Sequence, residues 1–388
     1  MRTEIPPILA AGPPFLLFIL YLIPASLRAK RWFILPYLAG FVVLAIFPVL
    51  RFSSHNPAGD FGLGSNAVVY CLILLDRIFM SDLDKDFVPP GSSKVPEPGT
   101  WARFWWALRL AHTFRGPGWK FQVRNTPVLH PKYRPKLRFL LLQFGRFTKY
   151  YLIIDALTSY HRTVGGKYFL YGLPLSALTF PERVLFMATG GIMGVAALNT
   201  IYILGCIACV SIGLSESIEC PNLFGNLSDI ATMSGFWGIW WHQMFRRLYS
   251  QPVVLIYRLI GGTKVKSTGT NIRLPRATFV WKMISLFLPF TLSGFHHLFA
   301  MRCITETWEF ELFWFFAIQP VGIILQNVFL DLFASRSTRH VLGTTTTLLW
   351  MVSTAHLFVD PLVQAGIWTV NAAPVSIVRG AMNVLSSR

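Results

Sequence analysis

Residues 279–300, from Phe279 to Ala300, read FVWKMISLFLPFTLSGFHHLFA, and Lys282 alone in that run carries a fixed charge. A helix needs roughly 20 apolar residues to cross the hydrocarbon core of a bilayer, and this run is that long. It lacks the apolar–polar alternation of a barrel strand. Backbone N–H and C=O groups find no water in lipid, so a spanning segment must be helical or belong to a closed barrel. The run predicts a transmembrane helix with two adjacent histidines inside it.

Comparable runs lie near residues 6–27, 32–50, 62–80, 138–158, 184–213, 309–330 and 341–359. With the first they predict an all-α, polytopic membrane protein of about eight spans plus interfacial helices, a single membrane-embedded domain over residues 1–388. Composition agrees: 53% of the 388 residues are hydrophobic and 13% charged, against about 25% charged in soluble domains. The run at 6–27 is too long for the apolar part of a signal peptide and is followed at once by another, so it reads as a retained span.

A net charge of +18 suggests nucleic acid only until the basic residues are located. They sit between spans: Arg28, Lys30 and Arg31; Lys94 to Lys136 in the loop 82–137; Arg246 to Arg276 in the segment 214–276; and Arg336 with Arg339. Counting spans alternately puts all four groups on one face, which the positive-inside rule assigns to the cytosol. The expected partner is the lipid bilayer, and no nucleic acid is expected. The sequon Asn226-Leu227-Ser228 then faces the cytosol and is expected to stay unglycosylated. Cys206 and Cys209 form a C-x-x-C inside an apolar run with no second ligand pair, which reads as packing. No metal site is expected.

Within the loop 82–137, Trp101, Phe104, Trp105, Leu108 and Leu110 alternate with Arg103 and Arg109 as in an interfacial helix. A second segment, Asp229–Ile260, is too polar to span and too aromatic for a solvated loop. The tail from Pro374 to Arg388 reads as a short interfacial helix. There is no internal repeat.

Two constellations can carry chemistry. His296 and His297 are ionisable groups at membrane depth, which are costly and usually face a cavity or the bundle interior. Neighbouring helical positions point about 100° apart, so the two cannot both face one small cavity. Gly294 lies three residues before His297 on nearly the same face, removing bulk where a substrate chain could approach. The second constellation is Ser234-Gly235-Phe236-Trp237-Gly238-Ile239-Trp240-Trp241-His242-Gln243-Met244-Phe245-Arg246-Arg247. Its tryptophans and arginines suit an interfacial anchor. Its histidine and glutamine do not need one, and Arg246 and Arg247 with Lys264 and Lys266 could receive phosphates.

Phe236-Trp237-Gly238 through Trp241-His242-Gln243, followed by Ser293-Gly294-Phe295-His296-His297, resembles the paired motifs of the fungal wax-synthase-like branch of the membrane-bound O-acyltransferase (MBOAT) superfamily. Arg115-Gly116-Pro117-Gly118-Trp119-Lys120-Phe121-Gln122-Val123-Arg124-Asn125 and Pro221-Asn222-Leu223-Phe224-Gly225 look similar in order and spacing, so the resemblance runs from about Phe104 to Ala300. It implies that His297 is the catalytic general base and that His242, with Gln243, positions a substrate or donates to the oxyanion. It further implies substrate- or CoA-binding roles for Trp237, Trp241, Gln243, Arg246, Arg247, Ser293, Gly294, Arg115 and Trp119. Two departures stand out: Ile239-Trp240 replaces an arginine pair, and Leu298 follows His297 where some branches have an acid. The implied reaction is acetyl transfer from acetyl-CoA, a co-substrate rather than a bound cofactor, to a hydrophobic terpenoid or meroterpenoid alcohol at the endoplasmic reticulum. A long-chain acyl-CoA:alcohol acyltransferase is the near alternative. A membrane terpene cyclase would want an aspartate-rich cluster, for which only Asp82, Asp84 and Asp86 offer themselves, and a transporter would want an internal repeat. Oligomeric state is left open.

Overall fold

Two short extended pieces, β1 (Thr3–Glu4) and β2 (Phe52–Ser53), pair in parallel and tie together the ends of the first helical hairpin. That hairpin is α1 (Pro7–Leu22) and α2 (Arg31–Arg51). The computed structural model describes residues 2–163, 173–260, 266–268, 271–273, 278–367, 373 and 375–380. Lys264, Arg276 and most of the expected tail helix lie outside them.

Asn56 starts α3 (Pro57–Leu75): its side chain accepts from the backbone N–H of Ala58 at 3.0 Å and of Gly59 at 3.3 Å, and Pro57 supplies a first turn that needs no donor. One wide turn, Asp76–Met80, extends it. Then come α4 (Trp101–His112), α5 (Lys136–Thr163), α6 (Phe180–Ser211), α7 (Arg246–Leu259), α8 (Phe279–Thr305), α9 (Glu311–Ala317), α10 (Gln319–Phe333), α11 (Arg339–Thr354) and α12 (His356–Gln364). The other described strands are the hairpin β3 (Lys266–Thr268) and β4 (Asn271–Arg273). The chain is all-α in architecture.

Each of the eight expected runs is helical. Six helical stretches are long and apolar enough to cross a membrane: Arg31–Arg51, Pro57–Met80, Phe180–Ser211, Phe279–Thr305, Glu311–Phe333 and Arg339–Gln364. Of the other two, α1 is apolar but only 16 residues long. Helix α5 has 28 residues, but Lys136, Arg138, Arg146, Lys149, Asp155 and Arg162 interrupt its apolar surface.

Helix α4 is amphipathic in an unexpected sense. Its buried face holds Arg103, Trp106, Ala107 and Leu110, while Trp101 and Trp105 are 68% and 42% exposed. Arg103 faces inward because the interior meets two of its three nitrogens: Nε donates to the Tyr21 carbonyl at 2.7 Å, Nη1 meets Asp84 at 2.7 Å, and the guanidinium lies over Trp106. The freed indoles form an outward apolar face suited to the headgroup region. Cys206 packs in a small cluster with Phe139, Val210 and Cys220, as the packing reading expects.

Helix α8 is the centre of the bundle, packed between α3, α7 and α9. Two glycines set its distances. A Cβ on Gly64 of α3 would fall 2.7 Å from Cys303 Sγ and 3.0 Å from Ala300 Cα; a Cβ on Gly294 would fall 2.9 Å from the Phe313 carbonyl oxygen and ring. Small residues at helix crossings let backbones touch, which is how membrane helices gain dispersion energy without a hydrophobic drive. The space beside Gly294 is therefore filled by Phe313 rather than open.

Gly64→Ala should lower the thermal midpoint of the detergent-solubilised protein, because overpacking costs about 1–3 kcal/mol. Cys303→Ala in the same chain should recover part of the loss. Additive losses in the double variant would count against this packing.

Candidate active site

His297 lies about two turns before the end of α8. Its Nδ1 is 2.7 Å from the carbonyl oxygen of Ser293, one turn earlier. A carbonyl only accepts, so Nδ1 carries the proton and Nε2 presents its lone pair. Among the described residues Nε2 takes no hydrogen bond. The ring stacks on Phe316 at 4.2 Å, with Phe61 at 6.2 Å and Phe358 at 6.1 Å.

His296 is different although its ring is only 4.9 Å away. It is 1% exposed and both nitrogens are engaged, Nε2 with Ser65 Oγ at 2.6 Å and Nδ1 with the Tyr249 hydroxyl. It ties α8 to α3 and α7. The sequence left open which histidine has a free nitrogen; the hydrogen bonds separate them.

The segment carrying His242 is a broken helix. A wide turn, Phe236–Trp240, ends where Trp241 turns extended, and α7 begins only at Arg246. Non-helical backbone beside membrane helices persists only where the protein satisfies it. Here Gln243 donates to the Trp237 carbonyl at 3.1 Å, while Arg246 donates to Gly238 O at 2.6 Å and Gln243 Oε1 at 2.8 Å. The Trp240 carbonyl accepts from Gly225 N–H at 2.9 Å. Trp237 reaches toward α8: its ring lies 5.7 Å from Phe290 and 6.1 Å from Phe316, the residue stacked on His297, and its indole N–H donates to Gln319 at 3.3 Å. Trp241 and Phe245 flank His242 at 5.1 and 5.8 Å.

His242 Nδ1 is buried with no hydrogen-bond partner. Burial, then His297 and Arg115 nearby, push this imidazole down to about 3. It stays neutral and able to donate from one nitrogen. That Nδ1 is one of several buried side-chain atoms with no partner among the described residues, and the rings of Phe224, Trp241 and Phe245 lie around the imidazole.

Several expected binding residues are held by the protein itself. Arg247 pairs with Asp76 at 2.9 and 3.2 Å and with Ser81 Oγ at 2.6 Å, while Arg77 shares the same carboxylate. Arg115 donates to Asn222 O and to the Tyr202 hydroxyl at 2.8 and 2.6 Å. Trp119 donates to Glu219 at 2.7 Å, and Arg109 meets that carboxylate at 2.8 Å. The long loop thus clamps residues 219–223, the run that leads into the His242 motif, so Arg115 and Trp119 sit where they position it. Ser293 is buried and contributes its carbonyl. Asp82 and Asp84 diverge, toward Lys85 at 2.7 Å and toward Arg28 and Arg103 respectively. Among the described residues no three metal-ligating side chains converge.

Sequence reading passed over Asp76, Tyr249, Ser65, Gln319 and Phe316. Asp76 carried a signal, since an aspartate inside an apolar run needs a partner. The others look like ordinary core residues until the helices are assembled.

Asp76→Asn leaves two buried guanidiniums without a counter-charge, a loss of about 3–5 kcal/mol, and should abolish monodisperse protein on size-exclusion in detergent. The pH dependence of His242 has a definite sign. Its unfolded value is about 6.5 and its folded value lies below that, so the unfolded chain binds more protons in between. Wild type should therefore lose stability relative to His242→Asn as pH falls below about 6.5. Parallel stability curves for the two proteins would refute a buried neutral imidazole.

Residues 220–318 match the membrane bound O-acyl transferase family. Over 298 residues the chain is 25% identical to acetyltransferase eriL of Hericium erinaceus, covering 74% of this chain and 73% of the relative. It is 25% identical to acetyltransferase sirH of Leptosphaeria maculans, over 74% of this chain and 71% of that one. Acetyltransferase ple2 of Rhodocybe pseudopiperita is also 25% identical, over 80% and 78%. No solved structure matches. The matched stretch holds both histidine motifs, and the likenesses support a membrane O-acyltransferase akin to fungal acetyltransferases.

Proposed function

We propose that this MBOAT-like O-acyltransferase moves an acetyl group from acetyl-CoA to a hydroxyl of a hydrophobic polycyclic alcohol, of terpenoid or meroterpenoid type, at the endoplasmic reticulum membrane. The observation that carries the reading is the Nδ1–Ser293 hydrogen bond of His297, which leaves Nε2 free beside the rings of Phe61, Phe316 and Phe358. A hydroxyl is a poor nucleophile at neutral pH, and a positioned imidazole is suited to remove its proton during attack.

In that reaction the alcohol oxygen bonds to the thioester carbon as its proton passes to His297 Nε2. The carbonyl oxygen gains negative charge, and in this reading His242 donates to it. When the tetrahedral intermediate collapses, the carbon–sulfur bond breaks, and the CoA thiolate takes the proton back from His297. The ester and free CoA result, and His297 is regenerated. No serine or cysteine nucleophile enters. The rings of Phe61, Trp237, Phe316 and Phe358 offer an alcohol apolar surface and keep water from competing for the acetyl group.

The test uses microsomes bearing the protein, labelled acetyl-CoA or palmitoyl-CoA, and a panel of terpenoid and fatty alcohols. Acetyl label on a terpenoid alcohol is expected, with His297→Ala lowering turnover by ~10²–10⁴-fold at unchanged protein level. His297→Ala with wild-type turnover would sink the assignment. Palmitoyl label on fatty alcohols would make the protein a wax synthase instead.

A further inference from the structure

Behind the Arg247–Asp76 pair opens a cleft of about 40 Å³ whose walls include Ser81, Asp86, Lys120, Arg247, Gln251 and Arg258. The acyl-transfer reading makes no use of it. Gln251 stands out there: it is 4% exposed, and among the described residues its carboxamide makes no hydrogen bond. Arg247 engages Asp76 and Ser81 through Nε and Nη2, which leaves Nη1 without a bond among the described residues. Arg77 shares the Asp76 carboxylate, so the two guanidiniums keep a net positive charge between them. Lys120 donates to the Lys85 carbonyl at 2.8 Å, and among the described residues neither Lys120 nor Arg258 forms an ion pair. The acid in the wall, Asp86, already accepts the Asp82 N–H at 2.8 Å.

A buried carboxamide beside three cations with unused N–H groups is a site for an anion with several acceptor oxygens. The volume, about three times the ~10–15 Å³ that admits a water, takes a compact oxyanion with no bulky substituent. A phosphate monoester fits, with three unesterified oxygens and a charge of about −1.5 to −2, where a diester offers fewer oxygens and half the charge. The surroundings point to the source of such a group. Arg258 is followed by Leu259 and Ile260, both exposed, and exposed Phe79 precedes Met80, which lines the cleft. Cations beside outward apolar side chains, in the basic segments assigned above to the cytosolic face, mark the headgroup level of that leaflet. We propose that this cleft binds the terminal phosphate of a monoester phospholipid, phosphatidic acid in its simplest form, as an unreacted lipid whose chains lie against Phe79 and Leu259. Such a site takes no part in the acyl-transfer chemistry.

The full chain, purified in a neutral detergent, is titrated with dioleoyl phosphatidic acid, dioleoyl phosphatidylglycerol and inorganic phosphate, and bound ligand is resolved by native mass spectrometry. Wild type should bind one phosphatidic acid roughly tenfold or more tightly than phosphatidylglycerol. Lys120 and Arg258 are exposed, so substituting them leaves the packed interior intact. Lys120→Gln/Arg258→Gln should weaken phosphatidic acid binding by roughly tenfold or more, and Lys120→Arg/Arg258→Lys should keep most of it. Gln251→Leu removes a donor and no charge, and should weaken phosphatidic acid while leaving phosphatidylglycerol unchanged. Phosphatidic acid affinity that is indifferent to Lys120→Gln/Arg258→Gln, or to Gln251→Leu, overturns the proposal. Equal affinity for the two lipids overturns it too, reducing the contact to surface charge. Inorganic phosphate that binds as tightly as phosphatidic acid would assign the cleft to a soluble anion and overturn the lipid assignment.

Discussion

The backbone of α8 touches its neighbours because two glycines let it, and everything the molecule presents for chemistry hangs from that contact. Gly64 brings α3 against Ala300 and Cys303, and Gly294 brings Phe313 against α8 from another side. With both crossings fixed, the rotation of α8 is fixed, and so are the directions of two adjacent imidazoles. His296 is sent into the packed interior between Ser65 and Tyr249, and His297 toward Phe316. A looser crossing would leave both rings free to exchange environments, and neither would have a defined free nitrogen.

The same logic explains how the protein keeps a broken helix beside its spans. The chain around His242 gives up regular hydrogen bonding between Trp241 and Phe245, and the carbonyls of Trp237, Gly238, Trp240 and Trp241 are met from inside the segment or from its immediate neighbours. Gln243 and Arg246 look like ligands for a substrate, yet their polar atoms close the break. Arg115, Arg109 and Trp119 perform the equivalent service for residues 219–223. His242 Nδ1 is left out of this accounting.

Charge is treated in the same way throughout. Asp76, Arg77 and Arg247 form a buried cluster under Phe87 and Phe121, and Arg103 is enclosed by Tyr21, Asp84 and Trp106. A buried ion pair adds little net stability over apolar residues but is severely damaging when halved, so such clusters fix register more than they add stability.

The sequence by itself determined the membrane class, the helical nature of all eight runs, and the two histidine motifs, because apolar length and residue order are one-dimensional properties. Asp76 carried a signal there too, as a carboxylate inside an apolar run, but sequence reading passed over it. What the sequence could not yield was which histidine keeps a free nitrogen, which arginines are already paired, and what fills the space beside Gly294. Those depend on partners such as Ser65, Tyr249 and Phe313, which are distant in sequence or lie on another helix and become neighbours only when the helices pack. Residue type set the chemistry available; the packing of α3, α7 and α9 around α8 decided which of it is left unspent.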